Sequence, residues 1–132
     1  TLLDTHALVW FVEGVPRLGR EARRLIERSL AADDLAVSAI SFWEVSLRVE
    51  KGRLRLSRSP TDWRLEVLGL GIAEIPLTGG VAIAATDLDG LHPDPSDRIL
   101  IATARHRRAL LLTGDGPILS WPGDLLREDA AR

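Results

Sequence analysis

Apolar and polar positions along the chain follow two periods in turn, and the switches between them lay out strands alternating with helices. Leu2 and Leu3 read as the end of a buried strand, and Ala7, Leu8, Trp10 and Phe11 then fall at helical spacing, with Asp4 at the junction. A turn over residues 14–19 leads to a helix over 20–32, apolar at Ala22, Leu25, Ile26 and Leu30. Asp33 and Asp34 close it before a short strand at 35–37. Residues 38–51 read as a helix ending at Gly52, and Pro60 opens another over 61–70 that Gly71 stops. A strand over 72–77, a small-residue helix over 80–88 and a Gly-, Pro- and Asp-rich loop over 89–95 follow. Ser96 is the expected N-cap of a helix through residue 107, and 109–113 is an unbroken apolar run, the mark of a buried parallel strand. After a turn at 114–117, residues 118–121 form a short apolar piece and Leu125-Leu126 a last edge strand. The order implies one α/β domain over 1–132, a parallel sheet with helices on both faces and right-handed crossovers.

Composition narrows the chemistry. With 45% hydrophobic and 27% charged residues the chain is ordinary for a globular fold, and its apolar start, broken by Asp4 and His6, is neither a signal peptide nor a membrane span. Thr1 is not an initiator methionine, so the true start is expected at least a residue upstream. No cysteine is present, which removes disulfides and thiolate metal sites and fits a cytoplasmic protein. Lys51 is the only lysine among 17 basic residues, and arginine is the better bidentate partner for phosphate.

In a parallel sheet all strand carboxyl ends share one edge. Asp4 follows the first strand and Asp115 the strand over 109–113, while Glu44 and Asp97 lie in the opening turns of helices. Each has an ordinary explanation taken singly. Asp4 is a fitting N-cap, Ser41 and Glu44 have capping-box spacing, Asp97 suits the helix macrodipole and Asp115 suits a turn. Gathered at one mouth, each pair of carboxylates about 5 Å apart repels by roughly 3 kcal/mol at an effective dielectric near 20. Raised pKa values or a bound cation must offset that, and oxygen donors without thiolate point to Mg²⁺ or Mn²⁺. The chemistry that follows is metal-assisted hydrolysis of a phosphodiester. Arg48, Lys51, Arg53, Arg55 and Arg58 on one side, and Arg105, His106, Arg107 and Arg108 on another, are candidate phosphate contacts. Trp43, beside Glu44, is the tryptophan placed to stack on a base, and the faces around Trp43 and Trp63 are candidate partner surfaces. The three histidines are scattered without the helix spacing of a zinc pair, and His6 is expected to pack beside the first strand.

The blocks over residues 2–10, 37–45, 92–104 and 112–115 together resemble, in order, the four motif blocks of PIN-domain proteins, specifically the VapC-type toxins of bacterial toxin–antitoxin pairs. The resemblance implies a three-layer α/β/α fold and a Mg²⁺- or Mn²⁺-dependent endoribonuclease acting on RNA, usually dimeric and held inactive by a cognate VapB-type antitoxin. It implies Asp4, Glu44, Asp97 and Asp115 as the metal-binding, catalytic acids, with Asp4 and Asp97 foremost and Thr113 holding the site through its hydroxyl. Thr5, Asp94 and Arg98 are supporting residues, Asp94 either binding metal or orienting Arg98. The chain departs from the common pattern at Gly114-Asp115-Gly116-Pro117, which replaces the usual helix-forming continuation. Two other enzyme-like readings are weaker. Asp87-Leu88-Asp89-Gly90 echoes the signature of haloacid-dehalogenase-type phosphatases, but Leu91 follows and no later lysine exists, a lack that also excludes a receiver domain. The non-enzymatic alternative is a PIN-like RNA-binding or regulatory module whose acids no longer act together.

Overall fold

A computed structural model describes residues 1–132. The elements run β1 (Leu2–Leu3), α1 (Thr5–Val12), α2 (Arg20–Ala31), β2 (Ala36–Ser38), α3 (Ala39–Glu50), α4 (Pro60–Gly69), β3 (Ala73–Ile75), α5 (Gly79–Ala84), α6 (Pro95–Arg107), β4 (Leu111–Thr113), α7 (Gly116–Ser120) and β5 (Arg127–Asp129). The strands form one parallel sheet ordered β3-β2-β1-β4-β5. Leu2 lies opposite Ala36 on one side and Leu111 on the other, and Leu3 opposite Val37 and Leu112.

Because successive strand residues point to opposite faces, the two residues of β1 serve two cores. Leu3 joins Val37 and Leu112 in a cluster covered by α1, α2, α3 and α4 through Leu8, Ile26, Val45 and Trp63. Leu2 joins Leu111 and Ile75 in a second cluster, covered by Ile101 of α6 and Ile118 of α7. The result is the three-layer α/β/α architecture. The strand order reverses at β1, with β2 and β3 added on one side and β4 on the other, so the carboxyl ends of β1 and β4 flank a topological switch point, where such sheets hold ligands.

Several expected boundaries move for identifiable reasons. α6 is capped by Asp94 and not by Ser96, because Pro95, with no N–H to satisfy and a fixed φ, takes the first helical position. The turn expected at 114–117 instead starts a short helix, α7, with Asp115 as its N-cap and proline in its first turn. The last strand is Arg127–Asp129, not Leu125-Leu126, and its charged side chains suit an exposed edge. Trp63 is fully buried, its ring 6.0 Å from that of Phe42, which removes it as a partner surface. Asp87 and Asp89 lie in the connection after α5 and follow no strand, so the phosphatase signature has no structural counterpart.

Candidate metal centre

Asp4 performs both tasks that its position allows. One carboxylate oxygen accepts the Ala7 N–H at 2.7 Å and caps α1. The other accepts the Thr113 hydroxyl at 2.6 Å and the Gly114 N–H at 3.0 Å, from the end of β4. A carboxylate has about four lone-pair sites, so three bonds leave it one for a further partner. Burial raises the pKa of Asp4, and the hydrogen bonds from Thr113, Ala7 and Gly114 oppose the shift. The Thr113 oxygen also accepts the Asp115 N–H at 3.1 Å, so one hydroxyl ties two of the acids together. Glycine is required next to it, because a Cβ on Gly114 would lie 2.6 Å from the Trp10 ring.

Glu44 is not part of a capping box. Ser38 caps α3, accepting the Ile40 N–H at 3.2 Å, and Ser41 accepts a hydrogen bond from the buried Thr5 hydroxyl at 3.0 Å. Thr5 therefore pins α3 to α1. Released from the helix end, Glu44 takes a hydrogen bond from Arg48 at 2.8 Å through Oε1, and its Oε2 is buried with no partner. Arg48 also reaches His6 Nε2 at 3.2 Å, and the His6 ring lies 6.1 Å from that of Trp10, so this histidine is occupied in packing.

Asp97 reports the convergence. Its pKa is pushed up to about 8, first by burial and then by the charges of Asp94, Asp115, Glu44 and Asp4. Asp94 Oδ1 accepts the N–H groups of Ser96 at 2.9 Å and Asp97 at 3.2 Å, so it builds the helix start from which Asp97 projects. It does not orient Arg98. That guanidinium donates to the carbonyls of Ala85 at 2.8 Å, Leu91 and Thr86 at 3.1 Å and His92 at 3.3 Å, and so ties down the connection before α6. Asp115 Oδ2 accepts the Ile118 N–H at 3.1 Å as the cap of α7.

The residue that sequence reading missed is His92. Its Nε2 lies 3.3 Å from Asp97 Oδ2 and 3.5 Å from Asp115 Oδ2, and its Nδ1 accepts the Asp94 N–H at 3.4 Å. His92, Asp97 and Asp115 each offer a ligand atom within 4.8 Å of the others. No helix spacing marks it because it acts from a loop; the available signal was its place five residues before Asp97, with Pro93 and Pro95 turning the chain between them.

The donors fit a hard divalent cation. Four acids surround a carboxyl that holds its proton to about pH 8, and one buried glutamate oxygen has no partner, both of which a cation would relieve. The expected basic groups divide. Arg58 is held by Glu13 at 3.2 Å and by Glu66, and so is not free for phosphate. Arg105, His106, Arg107 and Arg108 lie at the far end of α6, roughly 15 Å along the helix from Asp97, and the Arg105 guanidinium sits over the Trp121 ring at 5.9 Å. Lys51 and Arg53 remain exposed near the acids. The largest cavity, about 350 Å³ between α2 and β5, is lined by both signs of charge and by none of these acids.

The PIN domain family model matches residues 1–118. The chain is 36% identical over 115 residues to Ribonuclease VapC22 of Mycobacterium tuberculosis, covering 86% of this chain and 85% of that one. Among solved structures it is similar in fold to VapBC2 from Rickettsia felis bound to a DNA fragment from its promoter, with a TM-score of 0.72 and 18% identity over 97% of this chain and 96% of that one. It is also similar to FitAcB from Neisseria gonorrhoeae, with a TM-score of 0.64 and 24% identity over 96% and 94% of the two chains.

Proposed function

The chain belongs to the PIN-domain family, and from the acids gathered at its sheet edge we infer that it is a metal-dependent endoribonuclease, the toxin of a toxin–antitoxin pair. The observation that carries this reading is Asp97, one carboxyl sensing Asp4, Glu44 and Asp115 from three other segments of the chain. Asp4, Glu44, Asp97 and Asp115 would hold Mg²⁺ or Mn²⁺. When bound, such an ion supplies positive charge to phosphoryl oxygens and acidifies water.

The remaining residues prepare that site. Thr113 and Gly114 fix the Asp4 carboxylate, Arg48 aims Glu44, and Asp94 sets the helix turn that presents Asp97. His92 holds a ring nitrogen between Asp97 and Asp115. The kinship with a ribonuclease VapC supports RNA as substrate, and the likeness to toxin–antitoxin complexes supports a VapB-type antitoxin as partner. A homodimer in the cytoplasm completes the proposal; no helix is long and apolar enough to cross a membrane.

The test is cleavage of a mixed RNA pool with Mg²⁺ or Mn²⁺ after any antitoxin is removed. Cleavage should stop on chelation, and Asp4→Asn or Asp97→Asn should lower it about a hundred-fold or more, since loss even of groups that only orient ligands costs 10- to 100-fold. Asp87→Asn should cut like the parent. A well-folded protein that binds RNA but cuts none with either ion would sink the enzyme reading and leave the binding module.

A further inference from the structure

Between α3 and the start of α6 runs a cleft of about 240 Å³ lined by Glu44 together with Trp43, Leu47, Lys51, Arg53 and Pro95. Trp43 is 53% exposed, whereas Trp10, Trp63 and Trp121 are all buried, so the core packing that accounts for the other indoles does not account for this one. It immediately precedes Glu44, one of the acids assigned to the ion, and both line the same cleft. Gly52, with φ of +71°, ends α3 and turns the chain so that the Arg53 N–H donates to the Arg48 carbonyl at 2.8 Å. That turn sets Lys51 and Arg53 on the cleft, both exposed and neither paired with a carboxylate.

A flat aromatic face between cations and an acid-bound ion is the chemistry that grips an unpaired nucleotide: the ring stacks on a base and the cations hold flanking phosphates. A protein helix docking here would need an apolar groove, and only two of the nine lining residues are hydrophobic. We propose that Trp43 is the stacking platform for an unpaired base of the RNA close to the cleaved bond, with Lys51 and Arg53 holding the adjoining phosphates. This rests on the nuclease reading above.

The test is kinetic, with the full chain, Mn²⁺ and a single-stranded RNA oligonucleotide into which one abasic position is introduced in turn. Trp43→Ala should lower kcat/KM by roughly 5- to 150-fold, the worth of one base–aromatic stack, and Trp43→Phe should retain most of it. One abasic position should cost the parent protein the same factor and cost Trp43→Ala nothing more. The Mn²⁺-induced rise in melting temperature should be the same in Trp43→Ala as in the parent, showing that fold and ion site are intact. Replacing Lys51 and Arg53 together by alanine should lower the slope of log affinity against log salt by about 1.4, from roughly 0.7 per phosphate contact on a single strand. If Trp43→Ala cleaves every oligonucleotide like the parent, the platform is overturned while the nuclease stands. If the parent cuts no RNA with Mg²⁺ or Mn²⁺, the nuclease reading and the platform fall together.

Discussion

Asp97 carries a thermodynamic signature that can be measured without any substrate. Its carboxyl titrates at about 8 in the fold against an ordinary value of 3.8, so between those pH values the folded chain holds a proton that the unfolded chain has released. Metal-free stability must therefore fall as pH rises through that window. Asp97→Asn should flatten the slope and melt above the parent at pH 8 in EDTA; parallel melting curves from pH 5 to pH 8 would show that the crowding of acids has no energetic weight. Thr113→Val should cost about 1–3 kcal/mol in urea unfolding, because it strips a hydroxyl from the buried Asp4 carboxylate and an acceptor from the Asp115 N–H. At this scale the places of the four acids, at strand ends and helix starts, were legible from the order of strands and helices. The partners that aim them were less so. Ser41 stands at capping-box distance from Glu44, yet it is bonded to Thr5, a contact across 36 residues that no local spacing reveals. His92 was hidden for the same reason, since a loop residue acquires its neighbours only when the chain closes.

Helix ends are where structure and chemistry compete for the same side chains. Asp4, Asp94 and Asp115 all cap helices, so a substitution that weakens activity has two readings unless the cap is preserved. Asparagine caps as well as aspartate does, and alanine does not. Asp115→Asn should therefore keep the melting temperature of the parent while losing cleavage, and Asp115→Ala should lose cleavage together with about 1 kcal/mol of stability. Equal stability of the two variants would show that α7 does not depend on its cap. Helical periodicity located α2 and α3 almost to the residue, because twelve residues carry more than three turns of pattern each. It failed at α7, where five residues hold little more than one turn, and at β5, where a charged edge strand lacks the apolar alternation that marks a buried one.

Across the whole molecule, the proposed site sets proton and cation in competition for one group of acids. Below about pH 8 a divalent ion must displace the proton on Asp97, so apparent Mg²⁺ or Mn²⁺ affinity should rise with pH, at most about tenfold per unit, and level off above 8. Titrations followed by thermal shift would read this directly, with about 2.7 kcal/mol of stabilisation expected at a hundred times the dissociation constant. An affinity indifferent to pH would place the ion away from Asp97. The bond between Asp4 and Thr113 spans 109 positions and joins the first strand to one near the end of the chain. During synthesis the leading acid must wait for the 109 positions that follow it before its anchoring hydroxyl arrives. A fragment that stops short of Thr113 therefore lacks both the strand that pairs with β1 on this side and the hydroxyl that fixes the Asp4 carboxylate.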